Sequence, residues 1–425
     1  MIDLALLRDD PHALARAWAD RGVAVDVDAL IALDATVRNL KAESEQLRHD
    51  VNAASKAIGQ AASSGQDVDA AKEHARSIGE RAKQLGRECT EREAELRDRL
   101  LELPNPCLSE VPVGRDETEN VVVSTWGAQP QLDCEPRPHW EIGPELGILD
   151  CERATRLSGS GFVCLRGDGA RLVRALVTFF IDVLTRENDY TELMVPYLVT
   201  PQTMQGTGQL PKFQQDLYHC ERDDLYLIPT AEVPVTNLHG GEILPEADLP
   251  LRYCSHTPCF RREAGAAGVG TRGMTRVHQF DKVEMVWLTH PDRSRADLAV
   301  LRSHAEILLQ RLGLHYRVLD LCTGDTGFSS AHTYDLEVWS PGTGKWLEVS
   351  SCSTFTDFQA RRAGIRMKPE AGGKPRLVHT LNGSGLAIPR CLISLLESNI
   401  NADGTVTIPE VLRPYLGGQE RIERR

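Results

Sequence analysis

Between Leu30 and Leu103, apolar or small residues recur at Leu33, Val37, Leu40, Ser44, Leu47, Val51, Ala54 and Ile58. The steps alternate four and three, the seam of a coiled coil. A polar turn, Ser63-Ser64-Gly65-Gln66-Asp67, interrupts the pattern, which resumes at Ala75, Ile78, Ala82, Leu85, Cys89 and Leu96. Two helices joined by so short a turn bury their seams against each other. The spacing therefore predicts an antiparallel hairpin over about 28–103, whose first helix of about 30 residues would reach roughly 45 Å. Leu103-Pro104-Asn105-Pro106 ends it, because proline lacks the amide donor and restricts the residue before it. Residues 109–120 read as a linker after an N-terminal domain of 1–108. From Val121 onward the period changes. β-branched runs such as Val121-Val122-Val123 alternate with helical stretches, notably Arg171 to Glu187, and with glycine-marked turns. This predicts an α+β domain over 121–425 with largely antiparallel strands.

Composition adds limits rather than a function. A chain of 425 residues exceeds one ordinary core, as a two-domain organisation requires. Met1 to Asp10 carries acids where a signal peptide would carry basic residues, and no run approaches the roughly 20 apolar residues of a membrane span. A cytoplasmic protein with no membrane partner is expected. The 11 cysteines contain no Cys-x-x-Cys pair, and nothing completes a site around Cys254 and Cys259, so no zinc is expected. Net charge is −13, against a wholly basic nucleic-acid surface, although a local stripe survives within that sum. Arg48, Lys56, Lys72, Arg76, Arg81, Lys83 and Arg87 lie between the seams, interleaved with glutamates. Periodicity leaves two possibilities open there, a solvated ion-paired surface or a basic arm along an RNA backbone.

Candidate chemistry comes from four polar clusters set in otherwise apolar strands, an expensive arrangement unless something binds. They are Pro229-Thr230-Ala231-Glu232; Phe260-Arg261-Arg262-Glu263 with Arg276-Val277-His278-Gln279-Phe280-Asp281-Lys282-Val283-Glu284; Glu348-Val349-Ser350-Ser351-Cys352-Ser353; and Asn382-Gly383-Ser384-Gly385-Leu386-Ala387-Ile388-Pro389-Arg390. The last leads into a helical run, Cys391 to Glu397. Arginines in separate elements suit polyphosphate, and a carboxylate three residues before a serine suits Mg²⁺ that bridges phosphates. The glycine-rich stretches Gly265–Gly273 and Gly342–Gly344 lack the Gly-Lys-Ser/Thr ending of a P-loop.

These residues resemble the class II aminoacyl-tRNA synthetases. Phe260-Arg261-Arg262-Glu263 is similar to their motif 2, Gly383 through Arg390 to motif 3, and Arg171–Glu187 with the strand ending at Pro196 to the dimer-forming motif 1. Gly206-Thr207-Gly208-Gln209-Leu210-Pro211-Lys212-Phe213, Thr230-Ala231-Glu232, His278 to Glu284 and Asp357-Phe358-Gln359-Ala360-Arg361-Arg362 resemble the bacterial seryl-tRNA synthetases specifically, and the likeness runs from Met1 to Tyr415.

The resemblance implies a helical hairpin arm ahead of a catalytic domain built on an antiparallel β-sheet flanked by helices. It implies a homodimer that joins L-serine to ATP and then to tRNA(Ser), and also tRNA(Sec). Arg261 is expected on the α-phosphate and Arg390 on the γ-phosphate, with Glu348 and Ser351 holding Mg²⁺. Those three charged residues, Arg261, Glu348 and Arg390, would be the catalytic ones. Phe280 would stack on adenine, with Glu263 and the backbone at Val277 beside it. Arg262, Arg276, Val349 and Ser350 complete the expected ATP site. Thr230, Ala231, Glu232, Arg261, Glu284, Asn382 and Ser384 are the expected serine site. The arm, through Arg48, Lys56, Lys72, Arg76, Arg81 and Lys83, would reach tRNA.

Two positions depart from the family pattern. Val269 and Gly270 replace a basic residue and an aspartate in the loop facing the tRNA acceptor end, and Thr354-Phe355 replaces Asn-Cys beside the metal-binding strand. They leave a specialised paralogue of a biosynthetic or resistance pathway as one alternative. A ligase charging a carrier protein is another, opposed by the hairpin, which relatives of that type lack.

Overall fold

The computed structural model describes residues 1–65, 67–264 and 272–424. Packing divides the chain into two compact units, Ile2–Ala19 with Val23–Leu103, and Pro104–Arg425 with Met1 and Asp20–Gly22.

The first unit is the hairpin. Helices α1 (Val27–Ser63) and α2 (Asp69–Leu101) run antiparallel, α1 opened by the Asp26 carboxylate, which accepts from the Ala29 amide at 2.9 Å. At 37 residues α1 is longer than the seam alone indicated, about 55 Å at 1.5 Å per residue. The extra length lies at its ends, where capping rather than apolar spacing sets the boundary. Leu33, Val37 and Ser44 are buried against Ala82, Leu85, Cys89 and Leu96, while seam positions Val51, Ala54 and Ile58 are only half-buried. The seam thus loosens toward the turn. The six basic positions are all exposed, and Lys72, Arg76 and Arg81 lie 3.3, 3.3 and 3.9 Å from Asp69, Glu80 and Glu43. Such solvated pairs contribute little to stability.

The second unit is built on an eight-stranded sheet. Its strands are β1 (Val121–Trp126), β2 (Thr191–Glu192), β3 (Leu251–Phe260), β4 (Gln279–Thr289), β5 (Tyr316–Asp320), β6 (His332–Ser340), β7 (Lys345–Thr356) and β8 (His379–Ala387), in the order β1-β5-β6-β7-β8-β4-β3-β2. Pairing is antiparallel except for β2 on β3. Residues 104–114 are bonded along 323–331, for example Asn105 N to Phe328 O at 2.9 Å and Thr323 N to Pro112 O at 2.8 Å. Arg21 fastens the same place, donating to the carbonyls of Asn105, Thr326, Gly327 and Ser330 at 2.6–2.9 Å.

One sheet face carries the core. Helix α3 (Asp168–Glu187) presents Leu172, Leu176, Phe179, Phe180 and Leu184 to it. Further along the chain, Ser294–Leu312 and Ile388–Ser398 add Leu301, Leu308, Leu392 and Leu396 to the same cluster. Val283, Met285 and Trp287 of β4 point into this layer, so by the two-residue period Lys282 and Glu284 point to the other face. That second face is covered by three short helices, α4 (Pro201–Thr207), α5 (Glu232–Thr236) and α6 (Phe358–Ala363). Among the described residues no helix is long and apolar enough to cross a membrane.

Helix and sheet meet most closely at Gly383. A Cβ there would lie 2.4 Å from Leu301 Cδ2 and 3.0 Å from Cys352 Sγ. Glycine lets β8 lie against the helix layer while its neighbours Asn382 and Ser384 face the opposite side. Gly383→Ala should lower stability by about 1–3 kcal/mol through overpacking. A urea unfolding midpoint equal to that of the unaltered chain would show that the layers can part without cost.

Candidate active site

Two connected cavities of about 680 and 260 Å³ open on the site face of the sheet, sharing Thr230, Glu232, Arg261, Glu263, Arg276, Ser351 and Asn382 in their walls. Local structure explains how each group arrives. Thr230 and Glu232 follow the short strand Leu225–Leu227, and the Glu232 amide donates to Thr230 Oγ1 at 3.1 Å as α5 begins. Arg261 and Glu263 follow β3. Glu263 has φ of 49°, a left-handed conformation costing on the order of 1–2 kcal/mol in a non-glycine residue. The turn aims its carboxylate at Arg276, 3.2 Å away.

The deepest part is a polar knot among apolar strands. Thr230 Oγ1 donates to Glu284 Oε2 at 2.9 Å, and Asn382 Nδ2 donates to Glu232 Oε2 at 2.9 Å and Glu284 Oε1 at 3.3 Å. Lys282 forms an ion pair with Glu284. Gln359 Nε2 donates to Glu232 Oε1 at 2.6 Å. Glu284 is 1% exposed and Glu232 8%. Burial, reinforced by the charge of Glu284, pushes the Glu232 carboxyl up to about 7, while Gln359, Lys282 and Arg261 oppose the rise. Asn382 Oδ1 is buried with no hydrogen-bond partner among the described residues.

Beside this knot the smaller cavity is cationic. Arg261, Arg276, Lys282 and Arg390 all line it, with Phe280 and Val277. The Arg261 guanidinium lies over the Phe280 ring at 5.2 Å, and Arg390 Nη1 donates to the Glu348 carbonyl at 2.8 Å and lies 3.4 Å from its carboxylate.

Glu348 and Ser351 are three apart, which in a regular strand would put them on opposite faces. The pairing of β6 with β7 slips at this place: Glu337 faces Glu348 and Leu336 faces Ser350, leaving Val349 as the extra residue of a bulge. The bulge turns Glu348 and Ser351 to one side, with Ser351 Oγ 3.4 Å from Glu348 Oε1 and 2.6 Å from Asp335 Oδ1. Desolvation favours the neutral form of Glu348, but Arg390, Arg261 and Lys282 outweigh it and hold that carboxyl below its ordinary range. Burial and the charge of Glu348 push Asp335 well above its own. Oxygen donors carrying one firm negative charge fit a divalent cation that takes its remaining ligands from phosphate and water.

Most residues singled out from the sequence meet here. Thr230, Glu232, Arg261, Glu263, Arg276, Val277, Phe280, Glu348, Val349, Ser351, Asn382, Ser384 and Arg390 line the cavities. Ala231, Ser350 and Glu284 lie fully buried just behind the walls, Ser350 Oγ donating to the Ser384 carbonyl at 2.7 Å. Arg262 is exposed and lines neither cavity; its backbone amide ties the turn to Asp216 O at 2.9 Å. Phe355 lines the larger cavity and Thr354 is wholly buried, while Val269 and Gly270 lie outside the described residues. Sequence reasoning gave no role to Lys282 or Gln359, although both stand in stretches the family resemblance singled out. It missed Asp335 altogether, because nothing in β6 marks the residue that will face Ser351 across the bulge.

Known proteins bear on this geometry along the whole chain. The family described as "Seryl-tRNA synthetase N-terminal domain" matches residues 1–107, and "tRNA synthetase class II core domain (G, H, P, S and T)" matches 216–399. The serine–tRNA ligase of Nitratidesulfovibrio vulgaris (strain Miyazaki F) is 51% identical over 422 residues, 99% of each chain, and that of Akkermansia muciniphila is 50% identical over 419, 98% of each. Among solved structures, the seryl-tRNA synthetase from Pyrococcus horikoshii complexed with ATP is 37% identical with a TM-score of 0.93, covering 100% of both chains. The cytoplasmic serine–tRNA ligase from Naegleria fowleri in complex with AMP is 30% identical with a TM-score of 0.88, covering 100% of this chain and 99% of that one. With its hairpin arm, its class II sheet and full-length relatives of this kind, the chain belongs to the seryl-tRNA synthetases.

Proposed function

We propose that the polar knot binds L-serine, that the cationic cavity binds ATP, and that seryl-adenylate forms where they join. The observation that carries this is the unpartnered Asn382 Oδ1 set among two buried carboxylates and Thr230. A small molecule with an ammonium and a hydroxyl supplies the donors that the knot lacks. Glu284 already has Lys282 as its cation, so Glu232, held only by the amides of Gln359 and Asn382, receives the ammonium. Thr230, Ala231 and Ser384 shape the remaining wall.

For the nucleotide, Phe280 with Glu263 and the Val277 backbone takes adenine. Arg261 meets the α-phosphate and Arg390 the γ-phosphate, while Arg276 pairs with Glu263. Glu348 and Ser351, the latter held by Asp335, would hold Mg²⁺. Bound there, the ion would offset charge on the phosphates. The serine carboxylate then attacks the α-phosphorus, its new bond replacing the bond to pyrophosphate, which leaves. The protein's part is to hold the reactants in line and to neutralise negative charge. The seryl group then passes to the terminal ribose of tRNA(Ser), and of tRNA(Sec), releasing AMP. The exposed basic residues of the hairpin support a tRNA arm. The segment after α3, with Met194, Tyr197 and Leu198 exposed, supports a homodimer. This activity belongs in the cytoplasm.

Glu284→Ala should remain folded and lose serine-dependent pyrophosphate exchange by about a thousandfold or more, since the hydroxyl loses its buried acceptor. Near-normal exchange would refute the assignment. Glu232 must be ionised to receive the ammonium, and its carboxyl titrates at about 7 in the free enzyme. As pH falls below that value it gains a proton, so kcat/KM for serine should drop by about tenfold per unit, whereas the KM for ATP should stay level. A profile flat down to pH 5.5 would rule this out. Replacing Arg48, Lys56, Lys72, Arg76, Arg81 and Lys83 together by glutamine should spare exchange and reduce tRNA charging by about tenfold or more. Unchanged charging at physiological salt would exclude the arm.

A further inference from the structure

Gln359 is 0% exposed, beneath the wall of the serine site rather than in it. Both of its donors and its oxygen are engaged. Nε2 donates to Glu232 Oε1 at 2.6 Å and to the Thr207 backbone carbonyl at 3.4 Å, and Oε1 accepts from Thr380 Oγ1 at 2.7 Å. A backbone carbonyl can only accept, so Thr207 O fixes which end of the amide is nitrogen. The amide therefore cannot turn its oxygen toward Glu232 without losing both partners.

Topology creates this relay from distant parts of the chain. Thr380, Asn382 and Ser384 share one face of β8 by the two-residue period. Asn382 reaches Glu232 from the strand directly, and Thr380 reaches it through Gln359 on α6. The Thr207 carbonyl is presented where α4 ends at Gly208, whose φ of 91° and closeness to Ser329 (a Cβ would lie 2.3 Å from its Oγ) admit only glycine. The two oxygens of Glu232 are thus gripped by two amides that cannot change places.

We propose that Gln359 is a positioning residue for amino-acid recognition, aiming Glu232 at the substrate ammonium and held in register by Thr380 and the Thr207 carbonyl. It rests on the serine reading of the site. An amide donor stabilises the ionised carboxylate over the neutral acid, so Gln359 also keeps Glu232 able to pair with a cation. The other groups facing Glu232 are Glu284 and Lys282 from β4, Arg261 after β3 and Asn382 from β8. Of these, Glu284 works against ionisation and the two cations work for it. Gln359 is, with Asn382, an uncharged counterweight.

The test is steady-state pyrophosphate exchange with the full-length enzyme. Gln359→Met keeps the length of the side chain and removes both donors. It should raise the KM for serine by about tenfold or more and shift the acidic limb of kcat/KM for serine to higher pH, leaving the KM for ATP unchanged. Thr380→Val removes only the hydroxyl that holds the amide, and should move both serine quantities the same way by about two- to fivefold in KM. A folded Gln359→Met enzyme with unaltered serine KM and pH limb overturns the role, as does an equal rise in both KM values. Should Gln359→Met fail to fold, Thr380→Val decides alone, and an unchanged serine KM there overturns it. Loss of serine-dependent exchange by the unsubstituted enzyme would instead sink the serine reading itself.

Discussion

Two carboxylates, Glu232 and Glu284, lie almost wholly out of water on the site face of the sheet, close enough to share the amide of Asn382. Buried charges of like sign are tolerated only where donors and cations meet them from several sides. That demand accounts for much of the surrounding sequence. Lys282 and Thr230 serve Glu284, and Gln359 and Asn382 serve Glu232. The donors come from β4, β8, α6 and the turn after Leu225–Leu227, so the catalytic unit must close around the knot before any one of these bonds is worth its desolvation. Within this knot the Asn382 Oδ1 acceptor has no partner among the described residues.

The second constraint is geometric. A strand offers every other residue to a given face, yet Glu348 and Ser351, which meet on one side, have odd spacing. The extra residue Val349 resolves the conflict. A similar slip occurs between β4 and β8, where Glu284 faces Ser384 but Lys282 faces Ala387. Both irregularities lie at the mouth of the smaller cavity. Bulges of this kind re-aim the side chains that must converge.

How far the chain can be read without coordinates follows from the range of each signal. The hairpin was legible because its seam repeats over dozens of residues. Thr230, Glu232, Arg261, Glu284 and Arg390 were legible because polar and charged residues stand out within otherwise apolar stretches. Asp335 was not, since its part depends on which residue of β7 stands opposite. Gln359 was visible only as one letter of a stretch, because its meaning lies in Thr207, Glu232 and Thr380, which are 152, 127 and 21 residues away in sequence. Arg262 shows the converse, a residue inside a strong motif whose side chain faces solvent while its backbone does the holding.

The central claim is that this knot selects its substrate by pairing a hydroxyl and an ammonium with buried polar groups. Amino-acid-dependent pyrophosphate exchange of the unaltered enzyme, measured as kcat/KM for serine and for alanine, tests it most directly. Alanine supplies the ammonium and lacks only the hydroxyl. Discrimination of about 10⁴-fold or more is expected, because a buried polar wall built to receive a hydroxyl loses hydrogen bonding when the hydroxyl is missing. A ratio of about tenfold, the size expected for a loosely filled apolar pocket, would contradict it.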